Sequence, residues 1–250
     1  MDKWAAITIV YNEIDFIKGW VESKRDLGFD DSDMLVMVSE KPFFGKEYPS
    51  DGTVEYLEDE GIPYIAGTWF RDDPMLNAGL TFLKDYDWVL YQSPDEYLTC
   101  AGFAQLKEHC KNGNKPAYAI RTMNTYFKSH KLRIEPREMY EPIIAISPKQ
   151  TKFRDIRSVP YDDYGFFPTD IILYHFAYYR PDYKVKQKMI SYAHAPQILK
   201  NCYEEVRLRW TPETTNFHPT HPEQYKGVIL DEPPKEITKY LHSHSLFTDK

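Results

Sequence analysis

With 250 residues, 42% of them hydrophobic and 16% aromatic, the chain is long enough for one sizeable core or one core plus an appendage. A formal net charge of −7 at pH 7 argues against bulk electrostatic attraction to nucleic acid or to an anionic membrane. Cys100, Cys110 and Cys202 form no close C-x-x-C pair, so neither a disulfide framework nor a zinc knuckle is expected, and no apolar run matches a signal peptide or a bilayer span; the expectation is a cytoplasmic protein without a transmembrane segment.

Residues 4–10 read as the first strand, with Tyr11-Asn12-Glu13 as its turn. Ile14, Ile17, Val21 and Leu27 recur at helical spacing, which predicts a helix from near Glu13 to just before Gly28. Residues 34–38 are the second strand. A proline-containing loop then reaches Ser50-Asp51-Gly52-Thr53, where Ser50 or Asp51 caps a short helix carrying Val54 and Leu57 and closing at Gly61. Residues 62–66 are a third, weaker strand. Asp72 and Asp73 before Pro74 start a helix, because proline fits the first turn and acids favour its dipole. Leu76, Leu80 and Leu83 give that helix its apolar stripe.

The next stretch, residues 85–99 (DYDWVLYQSPDEYLT), organises the rest. Trp88 to Tyr91 is a short apolar run rich in β-formers, stopped at Ser93-Pro94 because proline cannot donate to a sheet ladder. Asp95 and Glu96 are delivered to the strand's exit, and in open α/β sheets ligands collect at the carboxyl ends of strands. A carboxylate there can hold a hard divalent cation, which in turn neutralises phosphate. The β-α-β-α-β-α-β order, with connections of crossover length, predicts a parallel sheet with helices on its faces.

Further on, Phe103, Leu106 and Cys110 mark a helix ended by Asn112-Gly113-Asn114. Residues 117–121 and 143–147 are strand candidates, separated by an aromatic and basic stretch over 126–137, and residues 171–178 form the last strand. Helical patterns around Val185, Met189 and Tyr192, and then from Pro196 to Val206, lead into a proline-dotted tail with His218, His221, His242 and His244. The expected organisation is one domain over residues 1–180 with a helical and irregular extension over 181–250 packed on it.

The segments AAITIVYNE, VMVSE, SDGT, DDPMLNAGL and DWVLYQSPDEYLT, in this order and spacing, resemble the N-terminal half of a family 2-like glycosyltransferase with the GT-A fold, and HFAYYRP is similar to a later His-containing strand of such proteins. The resemblance implies a mostly parallel, Rossmann-like α/β sheet flanked by helices, a nucleotide-diphosphate sugar donor, and a glycan or other hydroxyl acceptor. It also implies Mn²⁺ or Mg²⁺, held by Asp95 with His175. Asn12, Glu13, Glu40, Glu96 and Arg180 are the expected donor-binding residues, and Asp163, chosen over Asp162 and Asp170, the expected base taking the acceptor proton. The family places a D-x-D signature after the fourth strand; Ser93-Pro94-Asp95 stands there, without the first acid. It also often has an aspartate ending the second strand, where this chain has Ser39-Glu40.

Arg180, Lys184, Lys186 and Lys188 form a positive cluster, of which Arg180 is nearest the strand exit and able to clamp a diphosphate. Tyr126, Trp69 and Phe166 are candidates for a sugar-ring platform, and Arg71 for a phosphate contact. Two other readings stand beside transfer. The missing first acid at Ser93 suits a sugar-nucleotide or glycan-binding module without turnover, and His218-x-x-His221 with His242-x-His244 suits a metal-dependent hydrolase.

Overall fold

The structure is a computed structural model and describes residues 2–192 and 195–242. The first half follows the expected order: β1 (Trp4–Val10), α1 (Ile14–Asp26), β2 (Met34–Ser39), α2 (Thr53–Asp59), β3 (Tyr64–Gly67), α3 (Asp72–Phe82), β4 (Trp88–Tyr91), a two-residue β5 (Glu96–Tyr97) and α4 (Cys100–Asn112). The second half adds β6 (Ala117–Ala119), β7 (Thr122–Phe127), β8 (Leu132–Glu135), β9 (Ile143–Ile146), β10 (Tyr164–Phe166), β11 (Ile172–Tyr178), α5 (Asp182–Ser191), β12 (Gly227–Leu230) and α6 (Lys235–His242).

The central sheet runs β10-β6-β9-β4-β1-β2-β3. Strands β4, β1, β2 and β3 are mutually parallel, whereas β9 pairs antiparallel with β4 and β6. Both faces are covered, so its strands are apolar almost throughout. Alternate residues of β1 serve opposite layers: Ala6 and Val10 join Ile17, Trp20 and Val21 of α1, while Ala5 and Ile7 join Met75, Leu76 and Leu80 of α3. At Gly79 α3 comes so close to the sheet that an added Cβ would collide with the Ile7 side chain.

Local caps set the entrances to the site. The backbone N–H of Glu13 donates to Thr53 Oγ1 (2.9 Å) and that of Ile14 to Asp51 Oδ2 (3.2 Å), so the start of α2 satisfies the first free donors of α1. Asp51 Oδ1 also accepts the Thr53 N–H. Thr99 caps α4 by accepting from Gly102 N–H at 2.9 Å, which leaves Asp95 without a capping task.

A second sheet, β12-β8-β7-β11-β5, differs from the expectation for this region. Residues 122–127 and 132–135 are strands within a stretch read as aromatic and basic, and the segment after 181, read as helical and irregular, supplies edge strand β12. The cause is buried polar pairing: Asn124 and Thr125 in β7 bond to Arg137, Asp231 and Glu138, so the strand lacks an apolar run. In this sheet His175 of β11 lies opposite Glu96 of β5 and beside Thr125 of β7, and Phe176 N–H donates to Asp95 C=O (2.9 Å). That register brings together residues 95 and 175, which stand eighty positions apart in the chain.

Candidate functional site

Two cavities meet at Asp95. The first, about 150 Å³, lies where β1 and β4 end and is lined by Tyr11, Asn12, Glu13, Ser93, Asp95 and Arg180, with Phe43, Tyr48, Asp72, Lys184 and Lys188 among its other walls. The second, about 290 Å³, lies towards β7 and β11; Ser93, Asp95, Lys188 and Tyr192 line both.

Asp95 is fully buried. Its Oδ2 accepts from Arg180 Nη2 and from Lys188 Nζ, each at 2.6 Å, whereas its Oδ1 has no hydrogen-bond partner among the described residues. Burial alone would push this carboxyl up, but Lys188, Arg180 and His175 outweigh it and hold the group well below the usual carboxylate range. Arg180 also donates through Nη1 to Glu13 Oε2 (2.5 Å) and through Nε to Ala177 C=O (3.2 Å), and its guanidinium lies 4.4 Å from the Phe16 ring centroid. Lys184 and Lys188 reach the cavity because they stand one helical turn apart on α5. Lys184 is bound to Asp51 at 2.8 Å and faces Asp15 at 3.9 Å. Lys186 points away, to Glu204, and is half exposed.

His175 stands between two carboxylates. Its Nε2 lies 3.8 Å from Asp95 Oδ1, and its Nδ1 lies 3.7 Å from Glu138 Oε2 and 3.4 Å from Thr125 Oγ1. Burial disfavours charge on the ring, yet Glu138, Asp95 and Glu96 prevail and raise its pKa above 6.5. Glu138 Oε2 accepts from Thr125 Oγ1 (2.7 Å) and Oε1 contacts His218 Nε2 (3.0 Å). His218 Nδ1 faces the backbone N–H of His221 at 3.2 Å, so it accepts there and Nε2 carries the proton donated to Glu138. Despite burial, the two imidazoles hold Glu138 below the usual carboxylate range.

Of the residues singled out from sequence, Asn12, Glu13, Asp95 and Arg180 line the first cavity and His175 the second. The others go elsewhere. Glu96 is buried but turns inward: Oε2 accepts from Ser93 N–H (3.0 Å) and Oε1 pairs with Arg157, so it faces the second cavity and not the donor side. Glu40 is exposed, takes a 3.4 Å bond from Thr68 Oγ1 and lines neither cavity. Asp163, the expected base, accepts from Thr151 Oγ1 at 2.6 Å on a short 3₁₀ turn and reaches neither cavity. Asp162 and Asp170 are exposed.

The expected sugar platform is not assembled, since Tyr126 stacks on Phe176 in the core and Phe166 covers Arg121. Arg71 pairs with Asp73 on the surface. Among the described residues no group of three or more His, Cys, Asp or Glu side chains is placed to hold a metal, and His218 is bonded to Glu138. His244 lies outside the described residues. Arg157, Glu138 and Tyr192 are site residues that sequence reasoning missed, and no motif marks them.

Whether the site suits a divalent ion turns on charge and on free ligand atoms. The first cavity is lined by the acids Glu13, Asp72 and Asp95 and by Arg180, Lys184 and Lys188, and Lys184 is shared with Asp51 and Asp15. A diphosphate entering there meets cations that are already paired with acids, so they offset its charge only in part. Asp95 Oδ1, unbonded, and His175 Nε2 face each other, an oxygen and a nitrogen of the kind Mn²⁺ accepts. Two such atoms are too few to hold an ion by themselves, so they would suit only a metal whose remaining ligands come with an entering anion, and only with the His175 ring neutral.

No family model and no curated protein sequence matches the chain. Solved structures with a related chain path include the first 349 residues of S. aureus TarS, at 12% identity and TM-score 0.45 over 73% of this chain and 63% of that one. Mannosyltransferase PcManGT from Pyrobaculum calidifontis, in complex with GDP-Man and Mn²⁺, matches at 12% identity and TM-score 0.47 over 70% of this chain and 56% of that one. Glucosyl-3-phosphoglycerate synthase from Mycobacterium tuberculosis, in complex with UDP, matches at 14% identity and TM-score 0.36, over 51% and 45%. The chain thus spans less than two thirds of each of these proteins.

Proposed function

We propose that this protein is a GT-A-like glycosyltransferase that moves a sugar from a nucleotide-diphosphate donor to a hydroxyl acceptor. The observation that carries the reading is the convergence of Arg180 and Lys188 on Asp95, with Lys184 held nearby by Asp51, in a cavity at the carboxyl ends of parallel strands β1 and β4. Tyr11, Phe43 and Tyr48 offer the aromatic walls for a nucleobase, and Asn12 and Glu13 stand where the ribose would enter. Arg180 and Lys188 face the diphosphate and stabilise the charge that collects on it as the glycosidic bond breaks. Asp95 and His175 would hold Mn²⁺ or, with a weaker nitrogen contact, Mg²⁺. When bound, that ion supplies electrostatic neutralisation of the leaving diphosphate. Glu13 keeps Arg180 oriented by its 2.5 Å pair. Residues 1–180 with α5 carry the donor site in this reading.

Incubation with a panel of uridine and guanosine sugar nucleotides, with and without Mn²⁺, while following release of nucleotide diphosphate, tests the proposal. Release that is lost in Asp95→Asn and in Arg180→Met supports transfer or donor hydrolysis. Tight nucleotide binding without release identifies the binding module instead, and absence of nucleotide binding removes the reading.

A further inference from the structure

Arg157 occupies a position that its role in the core does not exhaust. It sits in a turn in which Ser158 N–H donates to Asp155 C=O (3.2 Å), with φ at +51°, a region L side chains rarely adopt. Its carbonyl accepts from Ile143 N–H (3.1 Å), which ties the turn to β9. The side chain is 7% exposed and lines the second cavity. Nη1 pairs with Glu96, and the guanidinium lies 4.8 Å from the Tyr91 ring centroid. Among the described residues Nε–H and Nη2–H have no acceptor although both are buried. These donors lie along one edge of the guanidinium, the fork that takes two oxygens of one partner side by side.

Two kinds of partner present such oxygens: an anion, or a pair of neighbouring hydroxyls. Charge decides between them. The second cavity is lined by three acids, Asp95, Glu96 and Glu138, and by the cations Arg157 and Lys188. Asp95 faces Lys188 and Glu96 faces Arg157, while Glu138 is held by Thr125 and His218. An added carboxylate or phosphate would enter beside three acids whose cations are already engaged. A hydroxyl pair adds no charge, accepts from both Arg157 donors, and can return a hydrogen to the remaining lone pairs of Glu138. Tyr140, Tyr178, Tyr225, Met123 and Met189 give part of the remaining wall an aromatic and apolar surface that suits the C–H face of a sugar ring, while Ser93, Gln197, Thr220 and His221 add polar groups.

We propose that the second cavity binds a neutral sugar, with Nε–H and Nη2–H of Arg157 holding two vicinal hydroxyl oxygens, and that this sugar is the acceptor. The acceptor role rests on the glycosyl-transfer reading; the sugar-binding role does not. Arg157 then holds the sugar's hydroxyls, while Asp95, Glu96 and Glu138 beside it disfavour acidic acceptors.

Ligand-observed NMR on the whole protein tests this with methyl glucoside, methyl mannoside and methyl galactoside against glucuronic acid and glucose 6-phosphate, and separately with UDP and GDP. At least one neutral glycoside binds, ahead of both acidic sugars. Arg157→Lys, which keeps a cation opposite Glu96 but loses the fork, weakens glycoside binding about tenfold or more and changes affinity for the bound nucleotide less than about twofold. The ranking of neutral over acidic sugars needs no variant and stands as a test even if Arg157→Lys does not fold. Failure of every neutral glycoside to bind, tighter binding of either acidic sugar, or unchanged glycoside affinity in folded Arg157→Lys overturns the inference. Arg157-dependent glycoside binding by a protein that takes neither nucleotide supports the cavity assignment while refuting the reading of the first cavity.

Discussion

Arg180→Met tests the energetic centre of the site. The guanidinium is 2% exposed and bridges two acids, Glu13 Oε2 at 2.5 Å and Asp95 Oδ2 at 2.6 Å, which are themselves 13% and 1% exposed. Removing one partner of a buried ion pair leaves an uncompensated charge and costs about 3–5 kcal/mol. Lys188 still holds Asp95, so the charge left most exposed to this penalty is Glu13. For a chain of this size each kcal/mol lowers the melting temperature by roughly 2–4 °C, which places the expected fall at roughly 6–20 °C. The comparison variant is Arg71→Met: Arg71 is 61% exposed and pairs with Asp73 at 2.8 Å, and an exposed pair of this kind contributes at most about 1 kcal/mol. Adding Glu13→Gln to Arg180→Met removes the orphaned acid and recovers about 1–3 kcal/mol. Urea unfolding of the four proteins at pH 7 measures all of these differences. A loss in Arg180→Met no larger than in Arg71→Met, or no recovery in the double variant, would refute the account of Arg180 as the bridge between β1 and β4 ends.

Other consequences are equally direct. Gly79→Ala forces a methyl group onto Ile7 and close to Met37, and should destabilise by about 1–3 kcal/mol in the same unfolding assay, with m-value unchanged. Lys24 is fully buried, bonded to Ser23 Oγ at 3.0 Å, and burial lowers its pKa to about 7 against the pull of Glu96. The native state therefore binds fewer protons than the unfolded chain between pH 7 and the ordinary 10.5, so stability rises with pH through that window and the penalty is complete below it. Lys24→Met should flatten that rise and be the more stable protein at pH 6; a parallel pH profile in both proteins would refute this. Asp163→Asn, altering a side chain bound only to Thr151, should leave nucleotide diphosphate release within about twofold of the unaltered protein and cost about 1 kcal/mol of stability. A large loss of release with the fold intact would return Asp163 to the chemistry.

The legible part of the chain is its first hundred residues. Strands β1, β2 and β4 are buried on both faces and carry near-continuous apolar runs, while Pro74, Thr99 and the glycines after α1 and α2 punctuate them. Asp95 was visible for a local reason, since Pro94 ends the strand. The second half reads poorly because its strands bury polar groups against each other. Thr125 in β7 is satisfied by Glu138, thirteen residues on, and Arg133 in β8 by Asp231, ninety-eight residues on. A pattern rule sees such strands as loops.

Sequence alone determined the alternation of parallel strands and helices and the delivery of one acid to a strand exit, because periodicity, capping and proline geometry act over a few residues. Only the tertiary structure decided what that acid meets. The pairing of β11 with β5 and β7 sets His175 beside it, the α5 turn brings Lys188 to it, and the 155–158 turn turns Arg157 towards Glu96. Charges in a buried site are balanced by groups distant in the chain, so their partners, and with them the division into two cavities, exist only once the sheets have closed.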